Sequence, residues 1–340
     1  MKLKGKKVSC ILALALCLFC AFATQAQDDE PIKWSLEVKP ATPLKTGDKF
    51  EAQLSAKLGE GWHLYSITQP DGGPTRTEIK LAVGQPFELT GNIQGPQPEK
   101  IFDRNFNMET EFYVEKADFK LPLVVKADVG NGAQSLSVEV SFQLCNDEKC
   151  LPPNTITVQA ALAGSTQTGA SSAAGKSVVD SSVKQLVAGA PVPDFAFTDF
   201  NDKPRKLSEF KGKFVLLDFW ATWCKPCLAD IPKLKELYDK HKAEGFEIVG
   251  MDSETIGDDE GEPDLEFAKQ TAERAKQIVA TRGVTWTQAT AVTAVPVAKK
   301  IFDVKSLPTK VLLDKDGKVI ARIGEKDDLT GIVEKLLKEH

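Results

Sequence analysis

The chain has 340 residues, of which 42% are hydrophobic and 27% charged, so it is long enough for about two domains. This composition excludes collagen, a coiled-coil rod and wholesale disorder. Lysine and arginine number 43 against 48 aspartate and glutamate residues, a net charge of −5. Because four of the lysines lie within the first seven residues, the rest of the chain is more acidic still. We therefore expect no nucleic-acid partner.

The N-terminus has the order of features of a secretory signal peptide. A lysine cluster precedes an apolar run from Val8 to Ala23, and small residues continue to Ala26. We predict a cleaved signal peptide over residues 1–26 and export to the periplasm. A retained membrane anchor is the alternative, and it is disfavoured because the apolar run is short for a membrane span.

Cysteine usage points to redox chemistry. Of seven cysteines, three lie within the predicted signal peptide, and the other four form two close pairs, Cys145 with Cys150 and Cys224 with Cys227. Pairing is expected in an oxidising compartment. Both pairs close very short loops, which remove little entropy from the unfolded chain. Stability is therefore a poor reason for either pair, and redox chemistry is a better one.

A compositional boundary divides the exported chain. Between Ala161 and Ser177, 14 of 17 residues are Ala, Gly, Ser or Thr, which predicts a flexible linker over 161–186. Before it, over 27–160, apolar and polar residues alternate, most regularly from Leu136 to Leu144. This period of two predicts an antiparallel all-β sandwich.

The alternation also makes a prediction about the first cysteine pair. Even-numbered positions of the Leu136–Leu144 strand are apolar, so Cys145 should lie on its solvent side. With Thr155 to Ala160 as the return strand, Cys145 and Cys150 should bracket a hairpin-like tip that a partner can reach. An inert staple of that hairpin is an equally good reading of these residues alone.

After the linker, over 187–340, the pattern is α/β. The nearly continuous apolar run Phe214–Phe219 is typical of a central strand covered on both faces. Further strands, a helix from Asp264 to Arg282 capped by Gly283, and a C-terminal helix are predicted after it. The acidic segment Asp252 to Glu262 lacks the spacing of an EF-hand, and we predict a solvated insertion.

The motif Cys224-Lys225-Pro226-Cys227 follows the central strand and opens the next helix. A helix N-terminus lowers the pKa of a cysteine, and two intervening residues keep the second sulfur in reach. We predict Cys224, the more exposed, as the nucleophile and Cys227 as the resolving thiol. A zinc site is disfavoured because no second thiol pair or histidine pair lies at ligand spacing, so we expect no metal and no cofactor. Asp218, within the apolar strand, costs several kcal/mol unless it is neutralised or paired.

Residues 187–340 resemble the exported thioredoxin-fold proteins of the TlpA/ResA kind. The resemblance rests on the run from Val215 to Cys227, on Pro232, and on Leu307-Pro308-Thr309. It implies a thioredoxin fold in which Pro308 belongs to a cis-proline loop that binds substrate backbone beside the sulfurs. It also implies that Asp218 exchanges a proton with the resolving thiol. Because Trp223 flanks the redox pair, we expect it to form part of the docking surface, with an ordinary core tryptophan as the alternative.

The preceding region, from about Ile32 to Ala160, resembles the N-terminal domain of the thiol:disulfide interchange protein DsbD. The resemblance rests on Gly61 to Tyr65, Phe106 to Tyr113, Leu121 to Leu123 and Cys145 to Pro153. It implies an immunoglobulin-like sandwich in which Cys150 attacks partners and Cys145 is its mate. Phe106 would cap the disulfide, although an ordinary core phenylalanine is the alternative. His63 falls near an aromatic position of that family's site, but as a single surface histidine it indicates little.

Together these features predict an exported two-domain thiol:disulfide reductase. Cys224 and Cys227 would reduce the Cys145–Cys150 disulfide, and the sandwich would then reduce oxidised exported client proteins. Because the membrane-embedded domain of the full interchange protein is missing between the two domains, electrons would come from a separate membrane donor. The alternatives are a thioredoxin domain that acts alone, with the sandwich as a client-binding module, and a disulfide-forming oxidase.

Overall fold

The computed structural model of the chain describes residues 30–38, 44–126, 135–162, 187–257, 265–324 and 326–339. The predicted signal peptide and nearly all of the predicted linker lie outside these residues. Pro31–His340 form one unit, so contacts between the β-rich and α/β regions belong to a single body. Within the described ranges, no helix has both the length and the apolar character needed to cross a bilayer.

The β-rich region is built from antiparallel strands. Its described strands are β1 (Ile32–Val38), β2 (Lys49–Leu58), β3 (His63–Tyr65), β4 (Glu78–Leu81), β5 (Phe87–Leu89), β6 (Glu99–Asp103), β7 (Met108–Val114), β8 (Lys116–Val125), β9 (Ser135–Phe142), β10 (Leu144–Cys145) and β11 (Asn154–Ala161). They form sheets of order β1-β2-β8-β5, β10-β3-β7-β6 and β11-β9-β4. The all-β prediction is confirmed, and the immunoglobulin-like assignment stays a prediction.

Alternation along the strands builds the core of this region. In β9 every second side chain is buried, as predicted, and the residues between them are half-buried. These apolar positions pack against Leu54, Phe119 and Leu121 of the facing strands. Since successive side chains of a strand point to opposite faces, the period-two pattern is enough to place this core.

The predicted solvent exposure of Cys145 is wrong. β9 ends at Phe142, and the chain then crosses at the buried Gln143 into β10, which pairs with β3 in a different sheet. The Gln143 side-chain oxygen accepts a hydrogen bond of 2.7 Å from the Thr75 N–H, which ties the crossing point to a neighbouring loop. Both residues of β10 are buried, but in different places: Leu144 packs in the sandwich core with the apolar residues of β9, whereas Cys145 lies in the cluster shared with the α/β region, which covers it.

The α/β region has a mixed sheet with helices beside it. Its elements are β12 (Ala196–Thr198), β13 (Pro204–Lys206), β14 (Phe214–Trp220), α1 (Lys225–His241), β15 (Phe246–Asp252), α2 (Leu265–Thr281), β16 (Thr287–Ala289), α3 (Ala291–Lys300), β17 (Thr309–Leu313), β18 (Val319–Ile323) and α4 (Leu329–Glu339). The main sheet has the order β16-β15-β14-β17-β18. β14 is parallel to β15 and antiparallel to β17. This arrangement confirms the α/β prediction.

The central position of β14 explains its composition. All seven of its residues are buried, because strands flank it and helices cover the sheet. The predicted helix before Gly283 is also confirmed, since α2 ends at Thr281 and Gly283 has a φ of +65°, which favours glycine. The sheet therefore delivers the cysteine motif from its central strand directly into helix α1.

Candidate active site

The Cys224–Cys227 disulfide lies at the N-terminus of α1. Cys224 is the residue that caps the helix, and its Sγ accepts a hydrogen bond of 3.2 Å from the Cys227 N–H. Pro226 fits the first turn because that turn needs no N–H from it. The free N–H groups and the helix dipole at this end favour a thiolate on Cys224.

The expectation that Cys224 is the more exposed cysteine is wrong. Its exposed fraction is 0%, and that of Cys227 is 4%. Both belong to a buried cluster that also contains Tyr65, Cys145 and Cys150 of the β-rich region. The sandwich covers the motif, so its exposure is decided by packing between regions.

Cys145 and Cys150 form the other disulfide, at the tip of a turn. The turn is held by Asn146, whose side-chain oxygen accepts hydrogen bonds from the N–H groups of Glu148 and Lys149 at 3.0 and 2.7 Å. Both cysteines have an exposed fraction of 0%. A pair predicted to be accessible to a partner is therefore covered here by the α/β region of the same chain.

Backbone pairing joins this disulfide to the loop before β17. The Cys150 N–H donates to the Leu307 carbonyl at 2.8 Å, and the Leu307 N–H donates to the Cys150 carbonyl at 3.0 Å. The following peptide bond, Leu307–Pro308, is cis, in agreement with the cis-proline loop that the resemblance implies. Leu307 is fully buried in the cluster that holds both disulfides. This loop therefore places the two cysteine pairs on either side of one interface.

Asp218 lies in the central strand beside a lysine. It is the registered partner of Lys310 on β17, and its Oδ1 lies 3.8 Å from the Lys310 Nζ. The same Nζ lies 2.6 Å from Oδ2 of Asp230, on the first turns of α1. Burial raises the pKa of Asp218 to about 6, although the charge of Lys310 opposes the increase. The implied proton exchange between Asp218 and the resolving thiol stays a prediction.

A cleft of about 220 Å³ reaches Asp230 and Lys310 from outside. It is lined on one side by Pro226 and Asp230 of α1, and on the other by Pro308 and Lys310. Glu148 of the sandwich closes its rim. The polar groups behind the cysteine motif therefore face a route that is wide enough for water.

The sequence reasoning missed Lys310 and Asp230. Lys310 was detectable by the argument that singled out Asp218, because it is a charged residue that precedes the apolar run Val311 to Leu313. Asp230 is one of many acidic residues on helix surfaces, and nothing local distinguishes it. Only the register of β14 with β17 brings these charges together.

A second polar group lies on the sandwich side. Lys225, inside the cysteine motif, pairs with the buried Asp103 through Nζ and Oδ2 at 3.3 Å. His63 is opposite Cys145 in the strand register, and its Nε2 lies 3.2 Å from the Tyr65 hydroxyl. Burial, with a contribution from the positive Lys225, lowers the pKa of His63 to about 4. His63 is therefore half-buried and neutral at neutral pH, rather than a freely exposed surface histidine.

Trp223 and Phe106 occupy opposite sides of the interface. Trp223 is buried, and its Nε1–H donates a hydrogen bond of 3.0 Å to the Glu254 carbonyl. Phe106 lies in the turn between β6 and β7, is half-buried, and packs against the cluster of the two disulfides. Their predicted roles in docking and in capping stay predictions.

The first part of the acidic segment is buried, which corrects the prediction of a solvated insertion. Asp252 and Glu254 have exposed fractions of 1% and 3%. Glu254 accepts hydrogen bonds of 2.8 Å from both the N–H and the hydroxyl of Thr222, two residues before Cys224. Burial raises the pKa of both carboxyls. Residues 258–264 of the segment lie outside the described residues.

Among the described residues, no group of three or more His, Cys, Asp or Glu side chains lies close enough together to hold a metal ion. The polar groups around the motif are instead arranged as pairs, Asp218 with Lys310 and Asp103 with Lys225. The arrangement is suited to exchange between disulfides and thiols.

Comparison with known families separates the same two regions. Residues 187–337 match the Redoxin family. Residues 35–162 match the family of the N-terminal domain of thiol:disulfide interchange protein DsbD. The match to the DsbD N-terminal family thus contains the Cys145–Cys150 pair, and the match to the Redoxin family contains the Cys224–Cys227 pair, as the resemblances predicted.

Individual proteins that this chain is similar to are named thiol-disulfide oxidoreductases. Thiol-disulfide oxidoreductase ResA of Bacillus thuringiensis (strain Al Hakam) is 35% identical over 159 residues, which are 45% of this chain and 80% of the relative. The ResA protein of Bacillus anthracis has the same identity, 35% over 159 residues, and the same coverage, 45% and 80%. ResA of Geobacillus kaustophilus (strain HTA426) is 35% identical over 134 residues, 39% of this chain and 67% of the relative.

Solved structures also align with a little under half of the chain. The thioredoxin domain of a thiol-disulfide oxidoreductase from Bacteroides vulgatus is 27% identical, with a TM-score of 0.37, and covers 45% of this chain and 99% of its own. A thiol:disulfide interchange protein from a Bacteroides species is 27% identical, with a TM-score of 0.37, and covers 45% and 91%. With the cysteine motif on α1 and the identity to the ResA proteins, the chain belongs to the family of ResA-like thiol-disulfide oxidoreductases, and its oxidoreductase domain follows a domain of the DsbD N-terminal family.

Proposed function

We propose that this oxidoreductase is an exported reductase in which Cys224 and Cys227 pass electrons to the Cys145–Cys150 disulfide of its own sandwich. The observation that carries the proposal is the mutual backbone hydrogen bonding of Cys150 and Leu307. It resembles the pairing of a bound substrate strand with the cis-proline loop, and here the bound strand belongs to the chain itself.

The exchange proceeds in two balanced steps. The Cys224 thiolate attacks Sγ of Cys150, which forms the Cys224–Cys150 bond and releases Cys145 as a thiolate. The Cys227 thiolate then attacks Sγ of Cys224, which forms the Cys224–Cys227 disulfide and releases Cys150 as a thiolate. Two electrons have then moved from one pair to the other. The two protons lost by the first pair are taken up by the second.

Proton transfer at the second step is assigned to Asp218. With a pKa near 6, its carboxylate can accept the Cys227 proton at neutral pH far better than an acid at its ordinary value. Lys310 stabilises the charged form, and Asp230 holds Lys310 in place. Water in the adjoining cleft can carry the proton away.

The electron donor and the client proteins are assigned from the chemistry of the two disulfides. Both pairs are buried in the docked arrangement, so the domains have to separate before another protein can reach either disulfide. The composition of 161–186 predicts a linker that permits this separation. We assign reduction of Cys224–Cys227 to a separate membrane donor, and we assign oxidised exported proteins as clients of the reduced sandwich.

The test is direct electron transfer within the full chain. The Cys224–Cys227 pair is reduced in a rapid-mixing experiment, and the oxidation state of each pair is followed by acid quenching and mass spectrometry. We expect transfer that is independent of protein concentration, because a tethered partner has an effective concentration on the order of mM. Cys150→Ser should abolish it. Transfer whose rate is unchanged after the linker is cut would remove tethering from the proposal, and no transfer at all would refute the relay.

A further inference from the structure

Two arginines span the interface at the ends of the cysteine motif. Arg274 on α2 donates through Nη2 to the Gly72 carbonyl of the sandwich at 2.7 Å. The same nitrogen lies 3.4 Å from the carbonyl of Thr222, two residues before Cys224. Arg274 also reaches the Gly73 carbonyl at 3.4 Å. One guanidinium therefore bridges a sandwich turn and the entrance to the motif.

The second arginine does the same at the other end of the motif. Arg282 follows α2 directly, and its Nη1 donates to the carbonyl of Leu228 at 2.6 Å, one residue after Cys227. Its Nη2 donates to the carbonyl of Asn105, in the sandwich turn that carries Phe106. The arginine pair (Arg274 and Arg282) thus brackets Cys224–Cys227 and contacts two separate turns of the sandwich.

The acceptors are backbone carbonyls, so the geometry of the donor decides the contact. A guanidinium is a planar fork with five N–H donors and can serve two carbonyls at once, whereas an ammonium is a point charge on a flexible stem. Burial lowers the pKa of both arginines, and the charge of Glu254 opposes this for Arg274. Glu254 also accepts from Thr222, so it supports the same contact from behind.

The segment before α2 follows the sandwich closely as well. A Cβ atom on Gly257 would collide with the carbonyl oxygen of Pro153, three residues after Cys150. On the other side, a Cβ on Gly73 would lie 2.7 Å from Sδ of Met108, so the turn that receives Arg274 packs closely on this side chain. The contact is therefore shaped to one partner surface on both sides.

We infer that the arginine pair selects this chain's own sandwich as the redox partner of the cysteine motif. Arg274 binds the Gly72–Gly73 turn and Arg282 binds the Asn105 turn, while the Leu307 loop binds Cys150. Three separated contacts fix the orientation of one rigid body against another. The inference rests on the proposed transfer between the domains. Proteins that lack carbonyls at these positions miss two of the three contacts.

The test measures the effective concentration of one domain at the other in the full chain. In a chain with Cys227→Ser and Cys145→Ser, Cys224 and Cys150 are left to form one interdomain disulfide. Its equilibrium against glutathione gives the effective concentration of the two thiols. We expect Arg274→Lys with Arg282→Lys to lower this effective concentration at least tenfold. Lys276→Ala is the matched control, because this lysine lies on the same helix and pairs only with Glu273 among the described contacts.

The outcomes separate the arginine pair from the relay. If the disulfide forms with the same effective concentration in the double lysine variant, the role of the arginine pair is refuted and the relay stands. If it never forms, the relay is refuted. A second measurement does not depend on thiol chemistry. Small-angle X-ray scattering of the oxidised chain, with all cysteines intact, measures whether the two domains are docked. A compact wild type and an expanded double variant support the arginine pair, and equal dimensions of the two refute it.

Discussion

Cys150 and Leu307 exchange both of their backbone hydrogen bonds, at 2.8 and 3.0 Å, across the boundary between the sandwich and the oxidoreductase domain. A two-residue antiparallel bridge of this kind fixes the direction of the bound chain as well as its position. It therefore fixes the backbone of Cys150 in the buried cluster that also contains the motif at the start of α1. In the proposed order of attack, the Cys224 thiolate attacks Sγ of Cys150 rather than Sγ of Cys145.

The first prediction is that Cys227→Ser traps the intermediate between the domains. Without the resolving thiol, the Cys224–Cys150 bond formed in the first step cannot be resolved forwards, and only the return attack of the released Cys145 thiolate can break it. Peptide mapping under non-reducing conditions should recover this cross-linked pair as the main product. Cys224→Ser should give none. A cross-link from Cys224 to Cys145 would contradict the assigned order of attack.

The second prediction concerns the stability effect of Asp218. Its folded-state pKa of about 6 lies above the ordinary value of 3.8, so the native state loses stability as the pH rises through this window. Asp218→Asn removes that loss, and the gain in the free energy of unfolding should reach at most about 3 kcal/mol above pH 7. The gain should shrink towards zero near pH 4. Denaturant melts across this range check it, and a difference that is the same at every pH would contradict it.

The third prediction separates the chemistry of Asp218 from its effect on stability. In single-turnover reduction near neutral pH, Asp218→Asn should slow resolution by Cys227 about 10²-fold or more, because a positioned base is lost. The first attack by Cys224 should persist. Asp230→Asn is the matched variant, since it changes the other partner of Lys310 and leaves the buried carboxyl in place. If resolution proceeds at the wild-type rate without Asp218, that residue is structural.

The fourth prediction is that Phe106 shields the sandwich disulfide. In a chain with Cys224→Ser and Cys227→Ser, Phe106→Ala should let a small thiol reduce Cys145–Cys150 several times faster, because the half-buried ring covers this cluster. Thiol trapping against time measures the rate. Phe102→Ala is the control, with a neighbouring ring that is 60% exposed. If the disulfide is reduced at the same rate with Phe106 and with Phe106→Ala, Phe106 is an ordinary packing residue.

The fifth prediction is a loss of stability in acid that depends on His63. Its folded-state pKa of about 4 lies below the ordinary 6.5, so the native state loses stability as the pH falls between these values. His63→Gln should flatten this part of the profile by up to about 3 kcal/mol. The measurement belongs in the Asp218→Asn background, because Asp218 acts with the opposite sign in an overlapping range. An unchanged slope would mean that other groups cause the acid loss.

Local sequence pattern was sufficient for the parts of the molecule that depend on neighbours in the chain. Period-two alternation placed the sandwich core at β9, and an unbroken apolar run placed the central strand β14. The motif at Cys224 followed from its position between a strand and a helix, because capping depends on residues only a few positions apart. The buried charge of Asp218 was visible for the same reason.

The environment of the cysteines was decided by tertiary structure. Alternation placed Cys145 away from the sandwich core, but the α/β region covers it there, which a pattern along one strand cannot register. Lys310 reaches Asp218 through strand pairing, and Lys225 reaches Asp103 through packing of two regions more than a hundred residues apart. Burial of a side chain depends on what covers it, and here the cover comes from the other half of the chain. A sequence pattern reports the face on which a residue lies, whereas solvent access and pKa depend on everything packed against that face.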